Sequence, residues 1–153
     1  MITITRRLEF DAGHRIPNHD GQCAHLHGHR YALEITIAGE VLQHPGSSDD
    51  GMVLDFGDIK RLAQENLVGK WDHAFLVAKE DQRVVTFLES MPNHKTVILD
   101  EVPTVENLAR IAFAILEPIF KLAFHERLFL AAIRLYETPN CWADVLSKTA
   151  VKV

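Results

Sequence analysis

A chain of 153 residues, 47% of them hydrophobic and 24% charged, can bury one core of its own and carries no bias toward disorder, so a single domain over residues 1–153 is expected. A net charge of −5, with no basic run longer than Arg6–Arg7, excludes the electrostatic footprint of a nucleic-acid or anionic-membrane binder. Nothing reads as a membrane span of roughly 18 apolar residues, the first residues carry charge where a signal peptide needs an apolar block, and Cys23 and Cys141 are too far apart in sequence to suggest a disulfide framework. A reduced, cytoplasmic location is expected.

In chain order, Met1 to Ala12 alternates apolar and polar residues and predicts a first strand. A polar loop over Gly13 to Gln22 leads to a second strand, where Tyr31, Leu33, Ile35 and Ile37 share one face opposite Arg30, Glu34 and Thr36. The two strands are expected to pair antiparallel. "LQHPGSSDDG" predicts an exposed loop before a brief strand at Met52 to Leu54. A helix then starts at Asp55 or Gly57, with Ile59, Leu62, Ala63 and Leu67 on one stripe and Gly69 placed to end it.

"RVVTFLES" fits either a short helix or a strand, and "HKTVILD" reads as a strand. After Pro103 a second helix is predicted, with Thr104 as N-cap, Glu106 in its first turn, an apolar stripe from Leu108 to Ile119, and Pro118 placed to bend or stop it. Leu128 to Glu137 and Trp142 to Val151 form a closing strand pair around "TPN". The order predicts an α+β fold: an antiparallel β-sheet with two main helices on one face.

His27 and His29 are two apart at the start of a strand, so both leave the same face and can converge on one ion. His14 lies just past the first strand, the expected neighbour, and is the best third ligand. Three neutral imidazoles suit Zn²⁺ and leave a tetrahedral position open, as in catalytic sites. His25 shares the parity, but a fourth imidazole would close the site, and it is set aside. Cys23 is either a general base beside the metal or the fourth ligand of a structural His3Cys site, and spacing does not separate the two. Cys141 reads as a packed or incidental thiol. Asp72 and His73 are adjacent and able to form an oriented dyad, or are simply a helix exit and a surface histidine. Glu137 falls on the parity of Phe129, Ala131, Ile133 and Leu135, so its carboxylate needs a partner: a protein arginine or a ligand with a guanidinium-like N–H edge.

The motifs "FDAGH", "CAHLHGHRY", "GMVLDFGDIK", "WDHAFL", "PTVENLA" and "LYETPN" stand in the order and rough spacing of one family over nearly the whole chain. The sequence resembles the 6-pyruvoyl-tetrahydropterin and 6-carboxy-tetrahydropterin synthases. The resemblance implies the tunnelling fold, Zn²⁺ on His14, His27 and His29, catalytic roles for Cys23, Asp72 and His73, a pterin-gripping Glu137, and Thr104 near the bound pterin. It also implies a homo-oligomer with sites at subunit interfaces, acting on a small-molecule pterin triphosphate, whose phosphates need cations such as Arg30 or residues of another subunit. The short gap between Cys23 and His27 is similar to the 6-carboxy-tetrahydropterin synthases of queuosine biosynthesis, with a 6-pyruvoyl-tetrahydropterin synthase as the alternative. A non-catalytic zinc- or pterin-binding module is the alternative of another class. The segment Lys79 to Asp100 is longer than in compact members.

Overall fold

The computed structural model describes residues 1–149. Two long strands, β1 (Ile2–His14) and β2 (His27–Gly39), pair antiparallel in register from Ile2 opposite Gly39 to His14 opposite His27. Their apolar parity explains the pairing: Leu8, Phe10 and Ala12 on β1, with Tyr31, Leu33, Ile35 and Ile37 on β2, are buried in one core. β3 (Ala74–Ala78), β4 (Thr96–Leu99), β5 (Leu128–Thr138) and β6 (Cys141–Leu146) complete a six-stranded sheet in the order β4-β3-β1-β2-β5-β6.

The sheet is mixed rather than antiparallel throughout. β3 runs parallel to β1 and β4 runs parallel to β3, while the other pairs are antiparallel. A parallel pair needs a crossover connection, and helical segments supply both of them here. β3, a five-residue apolar strand directly after Asp72 and His73, is not among the strands the sequence predicts.

α1 (Phe56–Ala63) begins at Asp55, whose side chain accepts a hydrogen bond from the Gly57 N–H. Gly69 does not end this helix. The chain passes through a π turn (Gln64–Val68) into α2 (Gly69–Trp71) with Gly69 in helical geometry, and a Cβ there would lie 2.7 Å from the Gln64 carbonyl oxygen. The strand expected at Met52 to Leu54 is also absent. Leu42 instead brackets this loop, donating to the Met52 carbonyl and accepting from Gly51. "RVVTFLES" resolves as a helix, α3 (Gln82–Glu89).

α4 (Val105–Phe124) is capped by Thr104 and continues through Pro118 rather than stopping there. α1 and α4 pack on the same sheet face and share the main core, as two helices on one face require. α3 instead covers the opposite face of β3: Val84, Val85 and Leu88 meet Val77 and Phe75, whereas Leu76 points into the main core.

β5 carries an irregularity opposite Thr36 and Ile37, where Leu130 faces Ile37 and Ala132 faces Thr36, leaving Ala131 as an extra residue. Leu128 and Leu130 are therefore core residues before the bulge, and Ile133 and Leu135 after it. The parity drawn from Phe129 to Glu137 is correct only beyond Ala131. β6 ends at Leu146, so its expected extension stops short of Val151, which lies outside the described residues. No described helix is long and apolar enough to cross a membrane.

Candidate functional site

His14 ends β1 on the core parity and stands opposite His27, while His29 follows two residues along β2 on the same face. The three rings converge, with centroids 4.5 Å apart for His14–His27, 5.1 Å for His14–His29 and 5.0 Å for His27–His29. Their nearest ring nitrogens lie within 4.8 Å of one another. Gly28 permits this closeness, since a Cβ there would lie 2.8 Å from the Ala12 carbonyl oxygen.

Hydrogen bonds fix which nitrogen each ring presents. His14 Nδ1 donates to the Pro103 carbonyl at 2.8 Å, and His27 Nδ1 donates to the His25 carbonyl at 2.7 Å. His14 Nε2 is thus left as a buried lone pair with no hydrogen-bond partner. Burial, reinforced by the neighbouring His27 and His29, pushes His14 down to about 4 against the stabilising Pro103 bond, so the ring is neutral at pH 7. Burial also lowers His29, with Glu137 opposing the shift.

Glu137 Oε1 lies 3.5 Å from His14 Nε2 and 4.0 Å from His29 Nε2. With His14 neutral and its proton on Nδ1, the first contact sets a lone pair against a carboxylate. A cation relieves that opposition, and three imidazole nitrogens are the donor set that suits zinc. Among the described residues Glu137 is set against the cluster and pairs with no arginine, which removes one of the two alternatives for its partner. Tyr31 forms the buried floor, 6.0 Å from His14 and 5.7 Å from His29, with its hydroxyl unpartnered. Sequence reasoning placed Tyr31 only in the core. Extending the parity from His27 and His29 by one step finds it.

Cys23 sits half-buried in a short 3₁₀ turn (Gln22–Ala24) and is not among the grouped metal-binding atoms, which disfavours the His3Cys reading. Cys141 is a free, exposed thiol at the start of β6, incidental rather than packed. His25 contributes its carbonyl, while its side chain is exposed. Thr104 is engaged as a cap, accepting from the Asn107 N–H at 3.3 Å, directly after the carbonyl that holds His14.

Asp72 and His73 do form a dyad, with Asp72 Oδ2 3.0 Å from His73 Nδ1. Asp11 is its template: its N–H donates to Asp72 Oδ1 at 3.0 Å and its carbonyl accepts from the His73 N–H at 2.6 Å. The Asp11 N–H first, and His73 second, hold the Asp72 carboxyl below the usual range. Lys95 steadies the exit of α2 by donating to the carbonyls of Gly69 and Asp72. His73 itself is 76% exposed and adopts a positive φ of 58°. The dyad groups with Asp11, whose side chain leaves β1 on the face opposite Phe10, Ala12 and His14. One chain therefore carries the dyad and the histidine cluster as separate groups. An open cavity of about 540 Å³ is rimmed by His27, His29, Arg30 and His73.

The sequence profile of the 6-pyruvoyl tetrahydropterin synthase family matches residues 3–148. The chain belongs to that family. Among the relatives of this synthase family member is the 6-carboxy-5,6,7,8-tetrahydropterin synthase of Rickettsia bellii (strain RML369-C), 43% identical over 95% of this chain and 100% of the relative. The Haemophilus influenzae protein of the same name is 32% identical over 94% of this chain and 98% of its own. The Caenorhabditis elegans 6-pyruvoyl tetrahydropterin synthase structure superposes with a TM-score of 0.63 at 26% identity, covering 96% of each chain. The architecture is the tunnelling fold of this family, in its mixed-sheet α+β form.

Proposed function

We propose that this chain is a 6-carboxy-5,6,7,8-tetrahydropterin synthase, a zinc-dependent lyase acting in queuosine biosynthesis. With one water, it converts 7,8-dihydroneopterin triphosphate to 6-carboxy-tetrahydropterin, acetaldehyde and triphosphate, as a single tunnelling-fold domain in the cytoplasm. The observation that carries this reading is the near full-length likeness to synthases of that name. The orphaned His14 nitrogen facing Glu137 supports the metal.

His14, His27 and His29 would hold the zinc, which supplies Lewis-acid polarisation of the substrate side-chain hydroxyls. The Pro103 and His25 carbonyls keep the ring nitrogens turned toward it. Cys23 is the general base that takes the proton from the side-chain carbon. His73, oriented by Asp72, moves the second proton that redistribution of the ring's double bonds requires. Glu137 accepts two N–H donors from the amino-pyrimidinone edge and fixes the ring.

The dyad groups with Asp11 and not with the histidines, which supports a complete site that takes its dyad from a second copy of the chain, in a homo-oligomer with sites at subunit interfaces.

The deciding experiment supplies 7,8-dihydroneopterin triphosphate to zinc-loaded protein and analyses the products. Carboxy-pterin with stoichiometric acetaldehyde is the expected result. A pyruvoyl product without acetaldehyde selects the 6-pyruvoyl-tetrahydropterin reading instead, and no turnover selects a binding module. Cys23→Ala is expected to retain zinc and lose roughly 10²–10⁴-fold in kcat, the usual range for removing a proton-transfer group. Zinc loss on that substitution would make the thiol a ligand.

A further inference from the structure

The turn that carries Cys23 buries none of its three residues, so packing alone does not fix it. Two contacts from the chain just after His14 hold it instead. The Ile16 N–H donates to the Cys23 carbonyl at 2.8 Å, and Arg15 Nη1 reaches the Ala24 carbonyl at 3.5 Å. Arg15 is in turn gripped by Asp81, with Nε 2.6 Å from Oδ2 and Nη2 3.0 Å from Oδ1. The Asp81 side chain is only 4% exposed. A planar guanidinium meeting both oxygens of a buried carboxylate has one geometry and a large penalty for leaving it.

Asp81 cannot drift either. Its carbonyl accepts from the N–H groups of Val84 and Val85 in the first turn of α3, and those two side chains are buried against Val77. The path from the packed α3 through Asp81 and Arg15 to the Cys23 turn is continuous. We infer that Asp81, acting through Arg15, is a positioning residue that fastens the Cys23 turn to α3 and so sets the thiol relative to the histidine cluster. The segment Lys79 to Asp100 is thereby a working part of the site. It reaches the dyad as well, where Lys95 holds the Asp72 carbonyl.

The catalytic consequence rests on the reading of Cys23 as the proton-transfer thiol, whereas the tether does not. The test uses the zinc-loaded full chain with Asp81→Asn and the double variant Arg15→Met/Asp81→Leu. The double variant removes the tether without leaving a lone buried charge, so it folds even if the single variant does not. Iodoacetamide labelling of Cys23, followed by peptide mass spectrometry, reads the turn directly, alongside zinc content, kcat and KM. The expected result is several-fold faster labelling at Cys23 and a kcat lower by roughly tenfold or more, with KM and zinc content unchanged. Labelling at the parental rate in the folded, zinc-loaded double variant overturns the inference. Faster labelling with parental kcat keeps the tether and removes Cys23 from catalysis, which Cys23→Ala turnover then confirms separately.

Discussion

His14 gives up the charge that an exposed imidazole carries in mild acid. Its value of about 4 lies below the ordinary 6.5, because burial and two neighbouring imidazoles disfavour the cation. The unfolded chain therefore takes up this proton near pH 6.5 while the folded chain does not, so the group favours folding above that pH and loses its contribution as pH falls toward 4. Metal-free protein is expected to be about 3 kcal/mol less stable at pH 4 than at pH 7 from this residue. Urea unfolding at both pH values checks it, with His14→Gln as the control that flattens the difference. Zinc-loaded protein falls more steeply, since protons compete for the ligand nitrogens.

At this scale the histidine cluster was legible because strand parity is a strict rule: His27, His29 and Tyr31 cannot point anywhere but one face. The placement of Cys23 was not, because a thiol in an irregular turn has no periodicity to read. The Arg15–Asp81 pair was invisible for a related reason, since the two residues are brought together only by the pairing of β1 with β3, which ends shortly before each of them.

The start of α4 does two tasks within two residues: the Pro103 carbonyl holds His14, and the Thr104 hydroxyl caps the helix. Thr104→Ala should cost about 1 kcal/mol of stability, read by urea denaturation. A rise in KM beyond that would show that the hydroxyl also meets the pterin. On the β1–β2 ladder, Gly28→Ala drives a methyl into the Ala12 carbonyl. It is expected to cost about 1–3 kcal/mol and to weaken zinc binding by spreading His27 and His29. Zinc competition with a chelator reads the second effect, and parental affinity would show that the ladder has slack.

Most elements were legible from the sequence, and those that were not share a cause. β3 is a short apolar run without alternation, buried on both faces by α3 and by the main core, so period gives no signal. Gly69 looked like a helix stop because glycine marks both ends and close approaches. Only the π turn shows that the Gln64 carbonyl is what excludes a side chain there.

Across the whole molecule, the histidine cluster and the Asp72–His73 dyad are separate groups on one sheet. The edge strands β4 and β6 leave that sheet open at both sides within one chain. Cys23→Ala and His73→Ala should therefore each be inactive alone yet recover activity when co-assembled. Random mixing restores about a quarter of the sites when each is built from two copies. Co-expression with separable tags and turnover of the hybrid checks this, and an inactive hybrid would place all catalytic groups in one subunit. Sequence reasoning could list the residues but not their sides, because the face taken by His73 depends on a positive-φ turn after α2.

The bulge at Ala131 has a counting consequence for the whole strand. β5 presents Leu128 and Leu130 inward on one phase and Ile133, Leu135 and Glu137 inward on the other. Deleting Ala131, the one extra residue, removes almost no volume, yet the two phases can no longer both be honoured. Either the leucines turn outward and open the core, or Glu137 turns outward and leaves the histidines. An alanine with no chemistry of its own thus keeps the time for a carboxylate six residues later, and a one-codon deletion there is a more drastic change than most substitutions within the site.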